Sequence, residues 1–311
     1  MAARIFIDGA AGTTGLEIHQ RLSGRTDVVL HRLPDELRKD RNARREALNI
    51  CDIAILCLPD DAAREAVGMI DPASNVRVID ASSAHRVTEG WTYGFPEIYG
   101  RAAIRRARFV SNPGCYPTGF LALVAPLVRE GLLPADWPYS VHAVSGYSGG
   151  GNALIDRFES EGDLAWRGYG YAMGHKHLAE MQTHAGLAHP PLFAPAVIDA
   201  MRGMVVEVPL PLRAMPRAAT APELRSALSV HYRESRVVSV VEGETPQELL
   251  LRRGAAPWDG MELFILGEMA NDQVRLVARL DNLGKGASGA AVQSLNLMLG
   301  CDEIRGLQLS A

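Results

Sequence analysis

The feature that most constrains this chain lies at its start. Gly9-Ala10-Ala11-Gly12-Thr13-Thr14-Gly15 separates the apolar run Arg4-Ile5-Phe6-Ile7 from Leu16-Glu17-Ile18-His19-Gln20-Arg21-Leu22, whose apolar residues recur at helical spacing. A strand, a glycine-rich turn and a helix in that order open a dinucleotide-binding unit. Glycines permit the tight turn and let backbone N–H groups approach a pyrophosphate at the helix start. The spacing is GxxGxxG rather than GxGxxG, a pattern that also describes a purely structural turn. Its place between strand and helix favours the dinucleotide, with Gly9, Gly12, Thr13, Thr14 and Gly15 as the expected contacts.

The following segments continue the pattern. Val28-Val29-Leu30-His31-Arg32 reads as the second strand, at whose end an NAD enzyme usually carries an acid for the ribose 2′-hydroxyl. Arg32 stands there instead, with Arg38 and Lys39 beyond. That positive charge suits the 2′-phosphate of NADP, the alternative being surface bases. Ile53-Ala54-Ile55-Leu56-Cys57-Leu58 is apolar throughout, as in a strand buried on both faces of a parallel sheet. A helix over 62–69, a strand Val76 to Asp80 and a strand at Phe109-Val110 follow. The stretch Ala81-Ser82-Ser83-Ala84-His85-Arg86 falls outside the carboxyl end of its strand, where ligands bind in such sheets.

From Ser140 the strands lengthen and alternate: 140–145, 204–210, 237–241, 263–269 and 274–280. Helices are expected over 222–232 and after Thr245-Pro246-Gln247-Glu248, a capping box with proline in the first turn. The fold class is therefore α/β. A Rossmann-like dinucleotide-binding domain over 1–114 is completed by a C-terminal helix over 285–311. An α+β domain with a mixed or antiparallel sheet is expected over 115–284.

The chemistry centres on Ser111-Asn112-Pro113-Gly114-Cys115-Tyr116-Pro117-Thr118, which sets Cys115 between a strand and an apolar helix expected after Thr118. Unpaired N–H groups at a helix start favour a thiolate, but only by about 0.3–1 kcal/mol. That is less than one pKa unit, so a basic partner is required; without one, Cys115 is simply a small buried residue. His175-Lys176-His177-Leu178-Ala179-Glu180 offers two imidazoles, and on a helix Glu180 would share a face with His177 and orient it. His177 is favoured over His175 for that reason.

Net charge of −4 gives no polycationic face, so no nucleic-acid partner is expected. No apolar run approaches the roughly 20 residues that span a bilayer. The four cysteines lack zinc-site or disulfide-scaffold spacing, no further ligands accompany the two histidines, and a reducing cytoplasm without a resident metal is expected.

With these residues in view, the chain resembles the shorter N-acetyl-γ-glutamyl-phosphate reductases of arginine biosynthesis, which are related to the aspartate-semialdehyde dehydrogenases. The resemblance runs almost end to end. Its carriers are the glycine turn, Asp80 to Arg86, Tyr93 to Glu97, Ser111 to Thr118, Val144 to Gly150, His175 to His177 and Asp281 to Gly289. It implies NADPH-dependent reduction of a small-molecule acyl phosphate, with release of inorganic phosphate, by a homodimer or homotetramer. It implies Cys115 as nucleophile, the histidine motif as acid–base, and Arg86, Ser145 and His175 at the substrate. Ser82, Gly146, Asn282, Gly284 and Lys285 are implied at the cofactor. One departure is Ala179, where the family often has proline. A β-aspartyl-phosphate enzyme or a non-catalytic NADP-sensing regulator are the alternatives; a cysteine hydrolase leaves the glycine turn unexplained.

Overall fold

The structure is a computed structural model that describes residues 2–243, 246–267 and 273–310. The chain forms two compact units, residues 1–114 with 287–307 and residues 115–286 with 308–311.

In the first unit, β1 (Ala3–Asp8), α1 (Thr13–Leu22), β2 (Val28–His31), α2 (Arg41–Ile50), β3 (Ile53–Leu56) and α3 (Asp60–Gly68) alternate. They are followed by β4 (Arg77–Asp80), β5 (Thr92–Tyr93), α4 (Pro96–Tyr99), α5 (Arg101–Arg106) and β6 (Phe109–Ser111). Among the described residues the sheet has six strands in the order β2-β1-β3-β4-β6-β5, every pair parallel. The chain leaves β1 toward one side and returns to the other, so the sheet has its switch point at β1, where such sheets open a ligand crevice. The continuous apolar strands are explained by burial on both faces. Ile5, Ile7, Ile53, Ile55 and Ile79 pack with Ile18, Leu22 and the closing helix Gly289–Leu299 on one side. Phe6, Ala54, Leu56 and Val78 pack with Ala47, Leu48, Ala63 and Ala66 on the other.

The second unit holds α6 (Cys115–Arg129), β7 (Ser140–Gly146), α7 (Asn152–Ser160), β8 (Trp166–Gly168), α8 (Leu178–Ala185), β9 (Leu192–Ile198) and β10 (Met204–Pro211). It ends with α9 (Ala221–Tyr232), β11 (Val238–Val240), β12 (Met261–Leu266) and β13 (Gln273–Leu280). Its described strands form a mixed seven-stranded sheet, β11-β12-β13-β10-β7-β9-β8. The α6 side chains from Tyr116 to Leu127 are all buried, against β10, β13, α8 and α9. Pro126 in its interior cannot donate to the Ala122 carbonyl one turn back. The buried Tyr232 hydroxyl of α9 donates to that carbonyl instead, at 2.8 Å.

Four expectations need correction. The C-terminal helix runs Gly289–Leu299 rather than 285–311, stopping at Gly300, which is left-handed. The helix carrying the cysteine begins at Cys115, not after Thr118, because Pro117 sits in the first turn, where no helical N–H is needed. The box expected at Thr245 builds no helix, whereas α9 opens on one at Thr220, whose N–H donates to Glu223 Oε2 at 2.7 Å. Thr245 lies outside the described residues, and Pro246–Leu250 are irregular, since the apolar stretch is too short to propagate. The strand expected over 263–269 runs Met261–Leu266, with Met269 outside the described residues.

Candidate active site

In the first unit, the ends of β1, β2 and β3 surround a cavity of about 790 Å³. Gly9 turns the chain there at φ +88°; a Cβ on it would lie 2.2 Å from the Cys57 carbonyl oxygen, so only glycine fits. Gly12 N–H donates to Gly9 O at 3.1 Å and closes the turn from which α1 rises. Gly9, Gly12 and Arg32 line this cavity, whereas Thr13, Thr14 and Gly15 stand behind it in the first turn of α1. Arg32 is held by His19, whose Nδ1 lies 3.1 Å from the guanidinium. Burial, then the Arg32 charge, lowers the His19 pKa.

A buried ion pair forms the floor. Arg44 Nε and Nη2 donate to the Asp8 carboxylate at 3.1 and 2.9 Å, taking Arg44 out of the solvated basic face its neighbours form. Cys57 also lines the cavity, but burial, then the Asp80 and Asp8 carboxylates, pushes its thiol up to about 12.

Beyond β4, the buried Asp80 organises its own turn. It accepts from Ser82 Oγ at 2.7 Å and lies 2.6 Å from His85 Nδ1, while the His85 ring stacks on Trp91 at 4.1 Å. Ser82 thus sits inside a structural turn and is not among the cavity-lining residues. Arg86, buried at the end of the turn, donates from Nε to Asn112 O at 3.0 Å and from Nη2 to Ala81 O at 3.3 Å.

In the second unit, Cys115 is the first residue of α6 and is half-buried. Its back is covered by Gly286, where a Cβ would lie 3.0 Å from Cys115 Cβ. Tyr116 donates from its hydroxyl to Ala196 O at 3.0 Å, and Tyr169 donates to the Tyr116 hydroxyl at 3.4 Å. Burial raises both phenol pKa values, and proximity to Cys115 adds to the rise. The imidazoles of His175 and His177 lie 6.3 and 6.0 Å from the Tyr116 ring and 4.7 Å from each other. The two histidines are therefore grouped around the residue that follows the cysteine. His177 immediately precedes α8, and Glu180 is buried in its first turn. The His177 backbone N–H donates to His175 Nδ1 at 3.2 Å, which leaves the His175 proton on Nε2. Burial, then Lys176, pushes the His175 pKa down to about 4, so this ring is neutral at pH 7.

Ser145, Gly146 and Asn282 meet at the end of β7, with their polar groups engaged there. Ser145 Oγ donates to Gly146 O at 3.0 Å; Asn282 accepts from Gly203 N–H at 3.0 Å and donates to Ser148 Oγ at 2.9 Å. Gly284 and Lys285 open a π-helical turn, residues 284–288, in which Lys285 is buried. Among the described residues, no group of three or more His, Cys, Asp and Glu side chains is placed to hold a metal ion, and no helix is long and apolar enough to cross a membrane.

Comparison with known proteins gives this geometry its context. Residues 30–107 match the semialdehyde dehydrogenase NAD-binding domain, and residues 115–282 match the semialdehyde dehydrogenase dimerisation domain. The chain is 49% identical to N-acetyl-γ-glutamyl-phosphate reductase 2 of a Nostoc species, covering 98% of this chain and 99% of that one. It is 53% identical to the N-acetyl-γ-glutamyl-phosphate reductase of Burkholderia orbicola, covering 95% and 97%. The chain belongs to the N-acetyl-γ-glutamyl-phosphate reductase family. Aspartate semialdehyde dehydrogenase II of Vibrio cholerae has the same fold, with a TM-score of 0.67 at 17% identity over 96% of this chain and 99% of that one.

As a member of the N-acetyl-γ-glutamyl-phosphate reductase family, the chain is an oxidoreductase with a nicotinamide-dinucleotide domain, a small-molecule substrate and an oligomer-forming domain. Several residues around these centres escape a sequence reading. Tyr169 precedes His175 by six residues in a glycine-rich loop and carries no motif of its own. Tyr116 is visible only as the neighbour of the cysteine. His19 stands alone in the sequence, and its partner Arg32 comes from another element. For the Asp8–Arg44 pair there was one faint signal, an acid directly after the apolar Ile5-Phe6-Ile7 of its strand.

Proposed function

We propose that this protein reduces N-acetyl-γ-glutamyl phosphate to N-acetylglutamate 5-semialdehyde and phosphate, with NADPH as reductant and Cys115 as the covalent nucleophile. The observation that carries this is Cys115 at the start of α6, half-exposed, with two imidazoles around the adjacent Tyr116.

The cavity at the glycine turn fits the cofactor. It has the backbone turn for a pyrophosphate, and Arg32, Arg38 and Lys39 at the β2 end suit a 2′-phosphate. Bound there, NADPH supplies hydride. The thiol proton of Cys115 passes to His177 and from it to the departing phosphate, as sulfur forms a bond to the γ-carbonyl carbon and the acyl–oxygen bond breaks. Hydride from the cofactor would reduce the resulting thioester at its carbonyl carbon to a thiohemiacetal oxyanion on Cys115. Its collapse breaks the C–S bond and releases the aldehyde and the Cys115 thiolate, which takes a proton from solvent through His177 to restore the starting thiol.

His177 is the acid–base in this scheme because His175, with a pKa near 4, stays neutral and serves as an Nε2 hydrogen-bond donor to the substrate. Glu180 orients His177 from the first turn of α8. Arg86 receives the substrate phosphate, its own orientation set by Asn112 O and Ala81 O. Ser145 supports the substrate side of the same centre. Gly146, Asn282, Gly284 and Lys285 are assigned to the cofactor, and Ser82 acts through the turn that carries Arg86. The active species is a homodimer or homotetramer built through the second unit, working in the cytoplasm.

The test is phosphate-dependent reduction of NADP with N-acetylglutamate 5-semialdehyde, run beside aspartate semialdehyde and with Cys115→Ser. Turnover of the first aldehyde alone, abolished in Cys115→Ser, is expected. Preference for aspartate semialdehyde, or substantial activity without the thiol, would overturn the assignment.

A further inference from the structure

The cations around the cofactor cavity are not equivalent. Arg44 is held by both oxygens of the buried Asp8, whereas Arg38, 3.6 Å from an exposed Asp35, and Lys39 stand exposed at the cavity edge. Arg32 differs, because its Nη2 lies 3.1 Å from an imidazole nitrogen, His19 Nδ1. A guanidinium has no acceptor, so Nδ1 must be the acceptor, the His19 proton must sit on Nε2, and the ring must be uncharged. Burial and the neighbouring Arg32 charge lower the His19 pKa in the same sense. Ser23 Oγ lies 3.3 Å from the same nitrogen and directs its own hydrogen to the His19 carbonyl at 2.8 Å, so it does not compete for Nδ1.

We infer that His19 is a positioning residue for NADPH selectivity: its neutral imidazole fixes the Arg32 guanidinium at the cavity wall, where the 2′-phosphate arrives. This rests on the NADPH assignment above and adds to it a residue that acts through Arg32. An exposed arginine spans many rotamers, and freezing one on ligand binding costs roughly 0.5–1.5 kcal/mol. A neutral acceptor on α1 removes much of that cost in advance. An acid in the same place would hold the side chain equally well but would repel the incoming dianion.

The test is calorimetric titration of the enzyme with 2′,5′-ADP and with 5′-AMP, which differ only in the 2′-phosphate, so no turnover is involved. His19→Leu should weaken 2′,5′-ADP by roughly two- to tenfold, the immobilisation cost expressed as affinity. AMP should be unaffected, and His19→Asn, whose amide oxygen can replace Nδ1 as acceptor, should restore much of the loss. In an Arg32→Ala background His19→Leu should have no further effect. Unchanged 2′,5′-ADP affinity in His19→Leu, equal weakening of both ligands, or the same loss with and without Arg32 would each overturn the inference. A wild-type enzyme that does not distinguish the two ligands would overturn the NADPH assignment, and the inference with it.

Discussion

Gly284→Ala tests how the backbone at the end of β13 supports the cysteine. A Cβ at this position would lie 1.8 Å from the Trp258 carbonyl oxygen and 3.1 Å from Asp259 Oδ1. Restoring ordinary contact requires roughly 1.5 Å of movement between the two backbones. The Trp258 side is tied down. Its N–H donates to Asp281 Oδ2 at 3.2 Å, its indole donates to Leu309 O at 3.1 Å, and Asp259 N–H donates to Gln308 O at 2.7 Å. The softer partner is the π-helical turn, and two residues on it places Gly286 against Cys115. Overpacking of this kind costs about 1–3 kcal/mol of stability. A displacement near 1 Å at a nucleophile lowers kcat by about a hundredfold. The assay combines kcat, the rate of Cys115 alkylation by iodoacetamide, a urea melt and 2′,5′-ADP binding. Both rates should fall well beyond the stability loss, while 2′,5′-ADP binding stays within about twofold. Gly162→Ala, whose Cβ would meet nothing within 4 Å, serves as the unaffected control. Wild-type kcat and alkylation in Gly284→Ala would refute the proposed support.

Two further measurements bear on the same centre. Burial first, with other groups following, raises the thiol pKa of Cys51 to about 11, that of Cys57 to about 12, and that of Cys301. At pH 7.5 the Cys51 and Cys57 thiols are almost wholly protonated. Limited alkylation followed by peptide mapping should therefore mark Cys115 first, even though Cys57 lines a cavity; labelling of Cys57 at a comparable rate would contradict this. His175 has a folded-state pKa near 4 against 6.5 for the free side chain, so between those values the unfolded chain binds the extra proton. Its contribution to stability is complete above about pH 6.5 and is lost as the pH falls toward 4. His175→Gln should flatten that part of the stability profile in urea melts at pH 7 and pH 5, and an unchanged slope would remove the buried neutral imidazole from the account.

Much of the fold is carried by local signals. Ile53 to Leu56 reads as a strand buried on both faces because no polar residue interrupts it, and Gly9 marks a turn that no residue with a Cβ can make. The Thr220–Glu223 box starts α9 because its two partners are three residues apart and need no help from elsewhere. The same box at Thr245 leads into a run with too few apolar residues to pack a helix. β8 and β9 carry weak signals, three residues in one case and a proline at position 195 in the other, and they are strands because β7 pairs with β9 and β9 with β8.

The site divides along the same line. The sequence by itself determined the residue types: a cysteine at a helix start, two imidazoles two residues apart, and a basic residue where an acid would select NAD. It did so because each signal lies within a few residues along the chain. Tertiary structure alone decided that Tyr169 reaches Tyr116 and that His19 holds Arg32. It also decided that Arg44 neutralises Asp8 and that His175 stays neutral while His177 lies next to it. Those outcomes depend on burial and on the meeting of elements far apart in sequence, which set the charge and direction of each group only after the chain has folded.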